Sequence, residues 1–258
     1  MTFIRIDADL TGDSPDALEE RAGSGDAEAM FRLGIAYRDG LLGLVPDVRR
    51  ARREFLRSAD AGNGLALVCA GDIEADSGHG SRASDLYLRA SSRRVPEAEE
   101  RLASMFLRRD DPERALDHAE RGAVLGSGYC MYVLGRIYFD GIGVEQDHMH
   151  ALYWFSRCCR GHPAAMRYVG IIRMEKDTPY FDMYKGLAAL RLAANAHDEE
   201  SRRRLLDLRL DVDTDDVSDD YFEPPDIPQY YEPILERMRD ETVPETKAPG
   251  LFSRLFRR

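Results

Sequence analysis

The sequence predicts an all-α fold, an α-solenoid of about five helix-turn-helix repeats with a short N-terminal cap and a C-terminal helix and tail. Three observations lead there. Apolar and small residues recur every three or four positions through most of residues 26–210, which marks amphipathic helices. The stripes come in pairs separated by breakers such as Gly141 and Gly143. The paired unit then repeats, with a small residue at Gly34, Gly71, Ala103, Gly135 and Gly170, at intervals of 37, 32, 32 and 35 residues.

Other registers move with that anchor. An apolar or small residue precedes each one (Leu33, Ala70, Leu102, Leu134, Val169), and four positions earlier stands Ala29, Ala66, Ala98, Cys130 or Ala165. A ring follows three residues after the anchor at Tyr37, Phe106 and Tyr138. The second helices align on Ala51, Ala83, Ala115, Ala151 and Gly186, followed four residues later by Phe55, Tyr87, Ala119, Phe155 and Leu190. Four positions before each of those small residues stands Asp47, Asp111, Asp147 or Asp182, where a carboxylate can accept the free amide protons that open a helix; His79 takes that place in the second copy. One hairpin cannot bury both its faces, so neighbours must stack.

Taken in order, residues 1–25 are an acidic segment with a capping helix. Ser14-Pro15-Asp16 supplies a hydroxyl cap, a proline in the first turn and an acid near the positive helix end, and Gly23 and Gly25 close the helix. The solenoid spans residues 26–210. In the second helix of its first copy, Arg49, Arg50, Arg52, Arg53 and Arg57 surround the inward stripe of Ala51, Phe55 and Ala59, which reads as a solvated outer face or a docking strip for acidic segments. The second copy carries Glu74 at the ring position, and the third lacks the loop glycines. Residues 199–210 read as a terminal helix. Residues 211–246 form an acidic, proline-containing linker, with Tyr230, Tyr231, Ile234, Leu235 and Met238 at the spacing of one further docked helix. Residues 247–258 are a basic, apolar tail in which Leu251, Phe252, Leu255 and Phe256 share one side of a helix.

The intact copies, residues 27–62 and 129–161, resemble Sel1-like repeats, relatives of the tetratricopeptide repeat with a lengthened, glycine-containing loop between helices. The resemblance rests on Ala29, Leu33-Gly34, Tyr37, Gly40, Asp47, Ala51 and Ala59. It rests again on Leu134-Gly135, Tyr138, Gly141, Gly143-Val144, Asp147, Ala151 and Trp154. It implies an interaction scaffold.

Charge and motifs exclude several other classes. The net charge of −11 lies in the flanks: residues 1–25 sum to −4, 26–210 to about zero, 211–246 to −11 and 247–258 to +4. A repeat protein that binds nucleic acid needs a basic inner surface, and this balance argues against one. No run approaches the roughly 18 apolar residues of a membrane span, and the start lacks the plan of a secretory signal, so a cytoplasmic protein is expected. Cys69, Cys130, Cys158 and Cys159 form no Cys-Xaa-Xaa-Cys pair and read as small packing residues. His148 and His150 fall on different sides of a helix and make a poor metal pair. Gly141-Ile142-Gly143 lacks a following Lys-Ser/Thr, and there is no Gly-Xaa-Ser-Xaa-Gly elbow. No catalytic residue, cofactor or metal site is therefore expected, nor any small-molecule substrate.

The function expected is a non-enzymatic scaffold or adaptor that binds a partner protein or peptide on the concave surface of the solenoid. First-helix residues off the packing stripe are the contact candidates, namely Arg32, Arg136 and Arg167. The alternative is a regulatory or immunity-type inhibitor whose C-terminal tail, through Leu251, Phe252, Leu255 and Phe256, targets an effector or a membrane surface.

Overall fold

The computed structural model describes residue 6 and residues 8–210; the expectations for residues 211–246 and 247–258, with Leu251, Phe252, Leu255 and Phe256, lie outside the described residues. Among the described residues there are twelve α-helices and no strand. They follow the predicted order: α1 (Pro15–Gly23), then the hairpins α2 (Ala27–Asp39) and α3 (Val48–Asp60), α4 (Gly64–Asp76) and α5 (Gly80–Ser91), α6 (Pro96–Arg108) and α7 (Pro112–Val124), α8 (Gly128–Asp140) and α9 (His148–Cys158), α10 (Pro163–Arg173) and α11 (Met183–Asn195), and last α12 (Glu199–Asp207). The fold class is the α-solenoid, built of consecutively packed helix pairs. The chain divides into two compact units between Leu102 and Ala103, within α6.

In the first unit α1 packs on α2, α2 on α3, α3 on α4 and α4 on α5. Ser14 caps α1 by accepting from the Ala17 amide at 3.3 Å, and Leu18 and Ala22 are buried beneath it. In the second unit α7 packs on α8, α8 on α9, α9 on α10, α10 on α11 and α11 on α12.

The anchor glycines are explained by close approach. A Cβ on Gly34 would lie 2.6 Å from the Phe55 ring, on Gly71 2.5 Å from Tyr87, on Gly135 2.5 Å from Phe155 and on Gly170 2.7 Å from Leu190. Each large side chain therefore occupies the volume that the first helix leaves open at its anchor. The third hairpin solves the same problem in reverse: its anchor is Ala103, its second-helix residue is Ala119, and both are fully buried in one core cluster.

A second device closes every hairpin. The backbone N–H of the residue that caps the second helix donates to the carbonyl three residues after the anchor: Asp47 to Tyr37 at 2.8 Å, His79 to Glu74 at 2.8 Å, Asp111 to Phe106 at 3.0 Å, Asp147 to Tyr138 at 2.9 Å and Asp182 to Arg173 at 2.7 Å. The long glycine loops and the short turns thus end in the same clamp. The four aspartates also accept amide protons of the first turn, from Arg50, Arg114, Met149 and His150, and Lys185, each such cap being worth about 1 kcal/mol. His79 makes no side-chain cap bond.

Two features of the first unit add to the sequence reading. Glu74, at the ring position of the second copy, is a buried acid held by Arg52 and by His79 Nδ1 at 2.8 Å. Burial alone would raise this carboxyl; Arg52 and the His79 hydrogen bond outweigh it and hold it below the usual carboxylate range. The arginines of α3 form a largely exposed face, with Arg49, Arg50, Arg53 and Arg57 open to solvent, and some of them also reach neighbouring helices. Arg50 donates to the Tyr37 hydroxyl at 3.3 Å, and Arg57 donates to Glu54 at 2.6 Å and to the Ala22 carbonyl at 3.0 Å. Arg50 and Arg57 thus tie this face to α2 and α1.

Candidate partner-binding surface on α8 and α10

The second unit brings together arginine and tyrosine side chains of the kind that interfaces use. α8 begins at Ser127, whose hydroxyl accepts from the Cys130 amide at 3.0 Å, and ends at Gly141 in the left-handed conformation, with φ 67°. Its inward stripe includes Cys130, Leu134 and Ile137, all fully buried. Tyr132, Arg136 and Asp140 form another stripe at intervals of four residues, so they line up along the helix. Arg136 Nε donates to Asp140 Oδ2 at 2.7 Å, and its Nη1 reaches the Tyr132 hydroxyl at 3.5 Å.

α10 brings Arg167 and Tyr168 against this stripe. The Tyr168 ring stacks on Phe155 of α9, with centroids 4.7 Å apart and planes 9° apart, and meets Phe139 of α8 edge-on at 4.9 Å. The Arg136 guanidinium lies 5.2 Å from the Tyr168 centroid and that of Arg167 lies 5.3 Å away. Each contact of this kind is worth about 0.5–1 kcal/mol when partly exposed. Tyr132 stacks on His162 at 4.1 Å with 17° between planes. Burial pushes the Tyr132 phenol above its usual range, with Arg136 pulling the other way. Burial likewise holds His162 below the usual histidine range, so the ring in the stack is neutral.

Of the three predicted arginines, the structure brings Arg136 and Arg167 to one ring. Arg32 belongs to the other unit, where it donates to Asp13 at 2.8 Å and to Glu28 at 2.9 Å. Arg167 is 18% exposed and donates to Asp198 at 2.6 Å; Asp198 caps α12 by accepting from Ser201. Its charge therefore holds α12 in place, whereas Arg136, 34% exposed, has the freer guanidinium plane. Each arginine is matched by its own carboxylate, so the surface offers planes and rings with little net charge.

The sequence reading passed over Tyr132, Phe139 and Tyr168. One signal was available. Three residues before the anchor stand Phe31, Tyr132 and Arg167, and the first two meet the second-helix ring alike: Phe31 to Phe55 at 5.7 Å and 54°, Tyr132 to Phe155 at 5.9 Å and 50°. In the fifth repeat the same register carries the arginine.

Other chemistry finds little footing. Burial pushes the thiols of Cys69 and Cys158 up to about 12 and that of Cys159 up to about 11, which makes them poor nucleophiles. Among the described residues no group of three or more His, Cys, Asp or Glu side chains could hold a metal ion. No helix among them is long and apolar enough to cross a membrane.

Comparison with known proteins places these hairpins. The Sel1 repeat model matches residues 27–63, 96–127 and 128–161, so the third copy qualifies despite its missing loop glycines. None of the curated proteins matches the chain. Among solved structures, a Sel1 repeat protein from Oxalobacter formigenes is similar at 21% identity with a TM-score of 0.66, over 75% of this chain and 59% of that one. A protective antigen present in uropathogenic Escherichia coli strains shows 19% identity and a TM-score of 0.48, over 92% of this chain and 60% of its own. An immunity protein from Pseudomonas aeruginosa shows 20% identity and a TM-score of 0.45, over 78% and 75%. The chain thus spans about three fifths of the length of the first two. At 21% identity the likeness to the Oxalobacter formigenes protein speaks for the fold.

Proposed function

Because this chain is a Sel1-like repeat protein, we propose that it serves as a non-enzymatic adaptor in the cytoplasm, holding a partner protein or peptide on the first-helix side of its repeats. The observation that carries this reading is the group of Arg136, Tyr168 and Arg167 on α8 and α10, seated over the buried Tyr132. Tyrosine and arginine are enriched in the energetic centres of protein interfaces, where each combines a large planar surface with a polar edge. Here the rings are already stacked and the guanidinium groups already oriented, so little order remains to be lost on binding. Because Asp140 and Asp198 balance the charges, the surface favours a partner that lays an aromatic or peptide plane on Arg136 and Tyr168 over one that merely brings acid.

The test is affinity capture with the full chain, comparing wild type with Arg136→Ala and Tyr168→Ala, and with Arg160→Ala at an exposed position after α9 as control. Each of the first two should weaken binding of a specifically captured partner by about 2 kcal/mol, some thirtyfold, with the helical circular dichroism unchanged. A partner held equally well by all four proteins would remove this surface from the account.

A further inference from the structure

α12 reads as the first helix of a sixth repeat. Its Leu205 is fully buried in the place of the apolar residue that precedes each anchor, and Ser201, also fully buried, stands four positions earlier, where every other repeat has a small residue. The joint into α12 is the one used between other hairpins: the Asp198 amide donates to the Ala193 carbonyl at 2.9 Å, as Asn63 does to Ser58 at 3.0 Å and Ser127 to Gly122 at 2.9 Å. The anchor position then falls on Leu206, 36 residues after Gly170. In the five hairpins that position is Gly or Ala and is covered by the second helix. In α12 it is a leucine, 61% exposed, with Leu208 beside the helix end at 48%. The other exposed residues of α12 are charged, Arg202, Arg203, Arg204 and Asp207 among them, so the uncovered Leu206 and Leu208 stand apart from a polar end.

We propose that Leu206 and the adjoining end of α12 are covered by residues 233–240 of the same chain, in the place that the second helix takes in the five hairpins. Three observations select this occupant. The segment begins with Pro233, suited to the first turn of a helix, and carries Ile234, Leu235 and Met238 at the spacing of one helical face. The intervening residues 211–226 hold eight carboxylates and no Lys or Arg, and they leave a helix that bears Arg202, Arg203, Arg204 and, just beyond it, Arg209. Arg203 and Arg204 are 70% and 45% exposed, so opposite charges line the path of the returning chain. The reach suffices as well: 22 residues separate Leu210 from Pro233, and a flexible chain of that length spans about 25 Å, against about 14 Å for the whole of α12. A leucine at the anchor suits a cover that packs through side chains, where glycine permits close backbone approach.

The experiment uses the full chain carrying Leu206→Cys with Leu235→Cys under mild oxidation, and Leu206→Cys with Val243→Cys as control. The native cysteines are buried, so they compete little for disulfide exchange. The expected result is an intramolecular 206–235 disulfide, formed about tenfold or more faster than in the control pair. A 206–206 bridge between two copies, or equal rates in the two pairs, overturns the proposal. Hydrogen exchange gives a second readout that does not depend on cysteine geometry. Ile234→Asp with Leu235→Asp should speed exchange of the α12 amides about tenfold while α8 stays protected. Unchanged α12 exchange, or protection that falls on dilution of the wild type, also overturns it.

Discussion

Gly135 and Phe155 meet where α8 crosses α9, and a Cβ on the glycine would stand 2.5 Å from the ring. The same pairing of a missing side chain with a large one recurs at Gly34 with Phe55, Gly71 with Tyr87 and Gly170 with Leu190, while Ala103 and Ala119 divide the volume evenly. This makes a quantitative prediction. Gly135→Ala should destabilise the second unit by about 1–3 kcal/mol through overpacking, and Phe155→Ala by about 3–5 kcal/mol through the cavity it leaves. The double variant recreates the Ala–Ala pair of the third repeat, so its effect should fall short of the sum by about 1 kcal/mol or more. Urea unfolding followed by circular dichroism reads all three; strict additivity would mean that the two positions do not share one volume. The sequence showed both registers, at the anchor and at the second-helix ring, because each recurs every 32 to 37 residues. That the two registers touch was not legible, since periodicity within helices says nothing of which faces meet.

At the scale of the element, the joint between α9 and α10 carries a pH dependence. His162 occupies the N-cap of α10 without a side-chain cap bond, and its ring lies on Tyr132 instead. Burial holds its folded-state pKa below the unfolded value, with Arg167 lowering it further and Asp198 opposing. A depressed value means that the fold prefers the neutral ring. The contribution is therefore complete above about pH 6.5 and is lost as pH falls through the lower folded value. Thermal unfolding of wild type should show a falling midpoint over that window. His162→Phe keeps the stack and removes the proton, so its midpoint should stay flatter; parallel curves would place the acid sensitivity elsewhere. The helices and four aspartate caps could be read from the sequence because they obey local rules. Glu74 could not be placed that way. A lone acid at a ring position looks like erosion until Arg52, from the preceding hairpin, is found beside it.

For the whole molecule, the repeat class followed from spacing alone, while the division of the chain between Leu102 and Ala103 left no mark in composition. The partner surface was half legible. Arg136 and Arg167 stand at different distances from their anchors, and their meeting depends on Tyr168, which stacks on Phe155 from the neighbouring hairpin. Arg32 shares their helix class but is engaged by Asp13, a residue outside the repeats. Sequence register identifies which helices line a surface; which side chains remain available on it is decided by the carboxylates that reach them. Tyr129 lies one turn before Tyr132 on α8 and is half-buried, whereas Leu88 is exposed on the second helix α5. A photoreactive benzoylphenylalanine replacing each in turn, within the full chain in its native cell, is the most direct test. A discrete protein adduct is expected from position 129, lost when Arg136→Ala is added, and none from position 88. An adduct that forms from position 88 and never from 129 would contradict that expectation.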